Sequence, residues 1–492
     1  MSLSIVIDRT ANLAIYQQIA GQIREEIGSG RLPPGSRLPT VRQMAEQLSV
    51  TRLTVQNAYT ELQSHGWVES TVGRGTFVGK DIQLAPHLAA AGQPLTPAAV
   101  IGDILHFGQA PGVRSLAHAS PDLSLFPADE FWAHLANLRA VADTVVGYGP
   151  TQGDAMLRLA LAEMLRDRDI TATPGEILVT AGVTQALALV AQALAQPGDV
   201  VLVEQPTYIG FLHQLRTYGL QPMAVPLDAE GPRLDVLERL ALQLRPRFFY
   251  TVPSYHNPTG LCMSLERRQH LLALAAKHGF LLVEDDIYAP LAYATPAPPP
   301  LKALDRAGVV IYATSLSKTL APGLRLGCLV APPAWQERFV PLRLAADLGS
   351  SLLLQRTLAH FLQEGGLRRH LRRVLPVYGA RRDAMVQALE AHMPSGVTWT
   401  HPAGGFSCWL TLPRQPQLVD LRRLMLQQGW AVAPGETFLV QPSAHLHLRL
   451  SFGSLPPDAI RRGVQILGSL VRQQLSLPAE PYADGTDWMP LV

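Results

Sequence analysis

Five short apolar runs, Ile177–Thr180, Val200–Glu204, Phe248–Val252, Leu281–Glu284 and Val309–Ala313, are separated by stretches of helical pattern. Such alternation leaves few architectures open and predicts a parallel or mixed α/β sheet covered by helices. It begins near residue 106. Beyond about residue 346 it gives way to a smaller α/β region ending in a strand over His445–Phe452. From about 476 a Pro-, Asp- and Gly-containing tail follows. The chain has 492 residues, 47% hydrophobic and 16% charged. It is too long for one ordinary domain of roughly 100–200 residues and can bury a large core. The longest uncharged run, Ile177–Gly198, is long enough to span a membrane. Thr180, Thr184, Gln185, Gln192, Gln196 and Pro197 interrupt it, so it reads as strand, glycine turn and helix of a soluble core.

The first 80 residues follow a different pattern. Leu13, Tyr16, Ala20, Ile23 and Ile27 recur at spacings of three and four, which predicts an amphipathic helix over 11–30. Gly28, Gly30 and Pro33-Pro34-Gly35 stop it. Thr40 is placed to cap a short helix with Val41, Met44, Ala45 and Leu48 inward, and Ser49-Val50 turns the chain. Thr51 caps a further helix that buries Val55, Ala58, Tyr59 and Leu62. Trp67-Val68 and Thr76-Phe77-Val78 read as a hairpin around Gly73-Arg74-Gly75. Three helices and a wing make a winged helix-turn-helix. In that fold the second helix of the motif enters the major groove with its N-terminal residues at base edges. Thr51, Arg52, Thr54 and Gln56 are therefore candidate DNA contacts, with Arg42 on the supporting helix. Arg52 is suited to guanine, and Arg74 in the wing to phosphate or the minor groove. Residues 1–80 hold eight Lys/Arg against six acids, which accounts for the chain's net charge of +2. Placement, not size, is what that charge contributes to the argument. Over residues 13–79, including Pro34-Gly35, Leu38-Pro39 and the Gly73-x-Gly75-Thr76-Phe77-Val78 wing, the segment resembles the GntR family of bacterial repressors. It departs at Thr40, where that family more often has serine. Residues 81–100, with six Ala, three Pro and one charge, read as a linker. The expected division is residues 1–79 for the DNA-binding head, 80–105 for the linker, 106–475 for the α/β body and 476–492 for the tail.

The chemistry of the body is concentrated in Ser315-Leu-Ser-Lys-Thr-Leu-Ala-Pro-Gly-Leu-Arg-Leu-Gly327. It sets Lys318 among hydroxyls, with Arg325 seven residues on. A lysine amine can form a Schiff base with the aldehyde of pyridoxal 5′-phosphate (PLP), while Ser315, Ser317 and Arg325 take the phosphate. Asp285, at the end of a strand, can pair with the pyridine nitrogen and keep the ring an electron sink. Tyr288 and Asn257 can reach the phenolic oxygen, and Tyr208 can stack on the ring. Thr180-Ala-Gly-Val-Thr-Gln-Ala-Leu187 starts a helix after a strand. There the backbone N–H groups of Gly182, Val183 and Thr184 suit a phosphate. Lys318, Asp285 and Tyr208 are the candidate catalytic residues. Together these segments resemble fold-type I aminotransferases over roughly residues 106–475, a fold of large and small subdomains. The resemblance implies that Tyr148, in Tyr-Gly-Pro-Thr-Gln-Gly153, reaches the phosphate of a neighbouring subunit. It also implies that Arg449 clamps a carboxylate. Where the family often has Ser-Gln this chain has Val183-Thr184, so a hydroxyl contact is lost and the backbone N–H remains. Alternation along His445–Phe452 puts His445, His447, Arg449 and Ser451 on one face. The two histidines have no third ligand at suitable spacing, and no metal is expected.

Cys262, Cys328 and Cys408 are far apart and odd in number, which favours a reduced, cytosolic protein. The opening MSLSIVIDRT lacks the pattern of a secretory leader, and no membrane partner is expected. A GntR-like head joined to an aminotransferase-like body resembles the MocR subfamily of transcriptional regulators. That resemblance implies a homodimer and a response to an amino compound or to PLP. The expectation is a cytoplasmic, PLP-dependent regulator that binds operator DNA and a small amino-acid-like effector. The alternative is a working aminotransferase with an accessory DNA-binding head. Lys318, Asp285 and Arg449 do not separate the two, because recognising an amine and converting it use the same groups. The head favours regulation.

Overall fold

The computed structural model describes residues 5–7, 14–28, 32–33, 35–64, 67–71, 75–79, 112–413 and 421–475. They fall into two units. One gathers the described residues up to 115 together with 421–431, and the other holds 116–413 and 432–475.

In the first unit, α1 (Ile15–Gly28) buries Ile19, Ala20, Ile23 and Ile27 along one stripe. α2 (Val41–Leu48) opens on a capping box. Gln43 N–H donates to Thr40 Oγ1 at 3.2 Å, and Thr40 N–H donates to Gln43 Oε1 at 3.0 Å. Two helix-start donors that have no partner within the helix are thereby satisfied. Ser49 ends α2 in the left-handed region, with φ 52°. α3 (Arg52–Ser64) starts three residues after Ser49, and Thr51 Oγ1 accepts from Thr54 N–H at 3.2 Å. Val55, Ala58, Tyr59 and Leu62 of α3 are buried, and the Tyr59 hydroxyl donates to the Pro39 carbonyl at 2.7 Å. β1 (Val68–Thr71) and β2 (Gly75–Val78) pair antiparallel, with Val68 opposite Val78. β2 also bonds the chain before α2, through Leu38 N–H to Thr76 O and Val78 N–H to Ser36 O. The wing is thus fastened on both sides.

A short strand, β3 (Arg114–Ser115), precedes the second unit. That unit is built on eight strands: β4 (Ile177–Thr180), β5 (Val200–Gln205), β6 (Gln221–Asp228), β7 (Gly231–Pro232), β8 (Phe248–Thr251), β9 (Leu281–Asp285), β10 (Val310–Ser315) and β11 (Gly327–Val330). Their order is β4-β11-β10-β9-β8-β5-β6-β7. β10, β9, β8, β5 and β6 are mutually parallel, while β11 runs antiparallel between β10 and β4. The central strands are buried on both faces, which is why they read as continuous Val, Ile, Leu and Phe runs rather than alternating ones. A second sheet carries β12 (Thr398–Trp399), β13 (Ser407–Leu412), β15 (Ala433–Pro434) and β16 (Leu446–Ser451), all antiparallel in the order β12-β13-β16-β15. Helices Gly366–His392 and Pro457–Leu475 pack on each other. In the first unit, β14 (Trp430–Ala431) pairs parallel with β3.

Candidate functional site

The parallel strands bring their carboxyl ends to one edge of the large sheet, the edge at which open α/β sheets bind ligands. β4 ends at Thr180, and Ala181-Gly182 turns directly into helix Val183–Leu194. Gly182 has φ +82°, and a Cβ on it would lie 3.2 Å from the Arg325 guanidinium. Only glycine lets the arginine lie against the helix start, where free backbone N–H groups and the helix dipole favour an anion. No side chain caps that helix. Arg325 donates to the Ala181 carbonyl at 2.7 Å.

β10 leads into the lysine turn. Ser315 Oγ donates to Ser317 Oγ at 2.8 Å and accepts from Ser317 N–H at 3.0 Å. Lys318 Nζ donates to the Ala119 carbonyl at 2.7 Å. Burial, together with the Arg449 charge, lowers the Lys318 amine to about 8. It is therefore a better nucleophile near neutrality than a free lysine, whose pKa is about 10.4.

Asp285 closes β9, and burial pushes its carboxyl up to about 7. The Tyr250 hydroxyl, from β8, donates to Oδ2 at 2.9 Å, whereas Oδ1 has no partner. Asp286 turns the other way, to the Tyr312 hydroxyl at 3.2 Å and Arg168 at 3.7 Å. Tyr208 is half-buried and hydrogen bonds to Thr184, and desolvation raises its phenol. The buried hydroxyls of Tyr288 and Thr207 lack partners. Arg449, on β16, donates from Nη1 to Asn257 Oδ1 at 3.1 Å and from Nη2 to the Ala117 carbonyl. Its guanidinium stands 5.0 Å over the Phe438 ring, and burial lowers its pKa to about 10. Asn257 is left with its Nδ2 as donor. Lys318, Asp285, Tyr208, Arg325 and Arg449 lie within one electrostatic neighbourhood.

Whether this set fits PLP can be judged from its unpartnered atoms. Asp285 Oδ1, Tyr288 OH, Thr207 Oγ1 and Arg449 Nε are buried without hydrogen bonds. Buried polar groups are rarely left so, and several together mark a place for a polar ligand. PLP offers the complement: a ring nitrogen for Asp285, a phenolic oxygen for Tyr288 and Asn257, a phosphate for the Gly182 cradle and an aldehyde for Lys318. The residues fit the group.

Tyr148 stands apart from the cluster, 92% exposed. Two contributors escaped the sequence reading. The stretch 117–119 supplies the carbonyls that hold Arg449 and Lys318. Between them His118 is kept down at about 4, chiefly by burial and then by those two cations, and so stays neutral. No motif marks this loop. Tyr250 reads as ordinary core, because an aromatic in a buried strand carries no sign of the carboxylate it meets.

In the head, Arg52 and Gln56 are exposed on α3 and Thr54 is half-buried. Thr51 is engaged as the cap. The Arg42 side chain is 72% exposed and pairs with Glu46 at 3.0 Å along α2. Arg74 lies outside the described residues, as do the expected linker and tail.

Comparison with known proteins gives a match over residues 115–467 to aminotransferase class I and II, and over residues 15–78 to the bacterial regulatory proteins of the gntR family. The uncharacterized HTH-type transcriptional regulator YdfD of Bacillus subtilis is 30% identical, covering 94% of this chain and 97% of its own. The probable rhizopine catabolism regulatory protein MocR of Rhizobium meliloti is 30% identical, covering 94% of this chain and 95% of its own. Among solved structures, a kynurenine aminotransferase from Pyrococcus horikoshii superposes with a TM-score of 0.73 at 33% identity, covering 79% of this chain and 97% of that one.

Proposed function

Since the chain belongs to the aminotransferase class I and II family, among the members that carry a gntR-type head, it is a DNA-binding transcriptional regulator; we propose that its body senses a small amino compound through PLP held at Lys318. The observation that carries this reading is the set of Lys318, Asp285 and Arg449, an amine, a carboxylate and a guanidinium in one electrostatic neighbourhood, beside buried polar atoms with no partner of their own.

PLP supplies an electrophilic aldehyde that exchanges one amine for another. The chain's own groups do the rest. Gly182, Val183, Thr184, Ser315, Ser317 and Arg325 would hold the phosphate, joined by Tyr148 from a second subunit in a homodimer. Asp285 would hold the ring nitrogen, its other oxygen being fixed by the Tyr250 hydroxyl. Tyr208 would lie against the ring, and Tyr288 and Asn257 would serve the phenolic oxygen. Lys318, its amine poised near neutrality, would hold the group at its aldehyde. Arg449 would bind the carboxylate of an incoming amine. An effector held at both ends favours one arrangement of the body over another, and that preference is what operator binding reports. Arg52 and Gln56 reach base edges, while Arg42 and Arg74 contact the backbone.

The test is spectroscopic first. Protein incubated with PLP and then dialysed should keep a visible absorption that Lys318→Ala loses. Operator binding should then respond to a panel of amino acids in wild type and not in the variant. An unchanged spectrum in Lys318→Ala sinks the assignment. A second reading, turnover by transamination, draws support from the same intact groups. It is separated by assaying release of a keto acid.

A further inference from the structure

The helix that faces DNA in this fold carries an apolar residue where a charge would be expected. α3 runs from Arg52 to Ser64. Its inner side is Val55, Ala58, Tyr59 and Leu62, each at most 2% exposed. At 100° per residue the point opposite that stripe falls on Leu53, with Asn57 and Thr60 one and two turns further along the same face. Leu53 is 68% exposed, and Gln56, Asn57 and Thr60 are exposed as well. No Lys or Arg lies on this outward stripe. Arg52 stands to one side of it, nearer the inner edge.

A single exposed leucine is ordinary on a protein surface. This one differs by its place. It is the second residue of the helix, at the end where recognition helices reach base edges. The helix start is held by the Thr51 cap and by the left-handed turn at Ser49, so the position of Leu53 is fixed rather than frayed. Phosphates offer nothing to a leucine. In the major groove, the thymine 5-methyl group is the one apolar feature that separates one base pair from another. An asparagine one turn on has the matching chemistry for the other half of an A·T pair, since its amide can donate to adenine N7 and accept from N6. Apolar group and amide on one face thus select one kind of base pair.

We propose that Leu53 reads a thymine methyl group and Asn57 an adenine, so that the outward face of α3 selects A·T pairs in the major groove. The inference rests on the DNA-binding role of the head and adds what the head reads. It is independent of the cofactor. Arg52 remains available for guanine or phosphate at the flank of these pairs.

The experiment uses the full chain. Duplexes bound by wild type are enriched from a randomised pool, and the preferred site is resynthesised. Each thymine is replaced in turn by deoxyuridine, which removes the methyl group and nothing else. At one position or more, the replacement should weaken wild-type binding by roughly three- to tenfold, the scale of one buried methyl with its neighbours. Leu53→Ala should bind the thymine and deoxyuridine forms of that position alike. Asn57→Ala should likewise become indifferent to 7-deazaadenine, which lacks the N7 acceptor. Leu53 is exposed, so its loss should leave the fold intact, with circular dichroism as the check. If Leu53→Ala keeps the wild-type sensitivity to deoxyuridine at every position, or wild type shows none, the proposal is overturned while DNA binding stands. If no sequence is enriched at all, the DNA-binding reading falls with it.

Discussion

Asp285 is a stability liability that turns into an asset when the site is filled. Its carboxyl is buried, bonded on one oxygen only, and pushed up to about 7 from an unfolded value of about 3.9. Because the folded pKa is the higher one, the folded chain binds the proton more tightly. The associated stability is fully present below about pH 4 and is lost as pH rises through about 7. Asp285→Asn keeps an acceptor for Tyr250 and has no charge to bury. In cofactor-free protein it should be more stable than wild type at pH 8, by on the order of 2–4 kcal/mol, with the gain shrinking toward pH 5. The same variant should bind PLP more weakly, having no carboxylate for the ring nitrogen. Urea unfolding at the two pH values and a PLP titration check both signs; equal stability at pH 8 would show that the carboxyl is solvated. Lys318 and Asp285 were legible as residues because their chemistry is rare and their spacing to glycine and strand is characteristic. His118 and the carbonyls beside it were not. Backbone oxygens have no letter in a sequence, and a histidine becomes informative only once its neighbours are known.

Elements place these residues, and glycine at one helix start shows how tightly. Gly182 combines φ +82° with ψ 175°, a conformation open only to glycine, and faces the Arg325 guanidinium. Gly182→Ala should cost about 1–3 kcal/mol of stability and displace the arginine from the anion site. PLP affinity should drop at least about tenfold. Denaturant unfolding and a binding isotherm measure the two, and unchanged affinity would put the phosphate elsewhere. The strands, helices and caps that lead to this point were largely readable, because buried parallel strands are uniformly apolar and Thr40 and Thr51 sit where N-caps belong. Three strands of the large sheet, β6, β7 and β11, were not. β6 contains Pro222 and Pro226, which argue against a strand in sequence. They are tolerated because its outer neighbour is only the two-residue β7. β11 starts on Gly327 and is four residues long, so it merges with the lysine motif, and its antiparallel course follows from the tight return after Arg325.

For the whole molecule the informative variant is Arg449→Lys. A lysine keeps the positive charge but cannot hold Ala117, Asn257 and a carboxylate with one planar fork. The amino-acid effect on operator binding should weaken by more than about tenfold, while uptake of PLP, read by absorption, serves as the control. An effect persisting at the same amino-acid concentration would make Arg449 structural only. Charge at this scale also explains what composition could and could not say. The net +2 is too small to point to nucleic acid, and only the order of cap, turn, helix and wing made the head readable. The stretch 117–119 has a further consequence. Its carbonyls already occupy Arg449 and Lys318, so a newcomer does not meet bare cations. It must displace the chain's own amide oxygens, and it registers only by the margin over them. That competition lowers the affinity of any ligand that needs these two cations, and in this way a loop that carries no catalytic letter at all would tune the site.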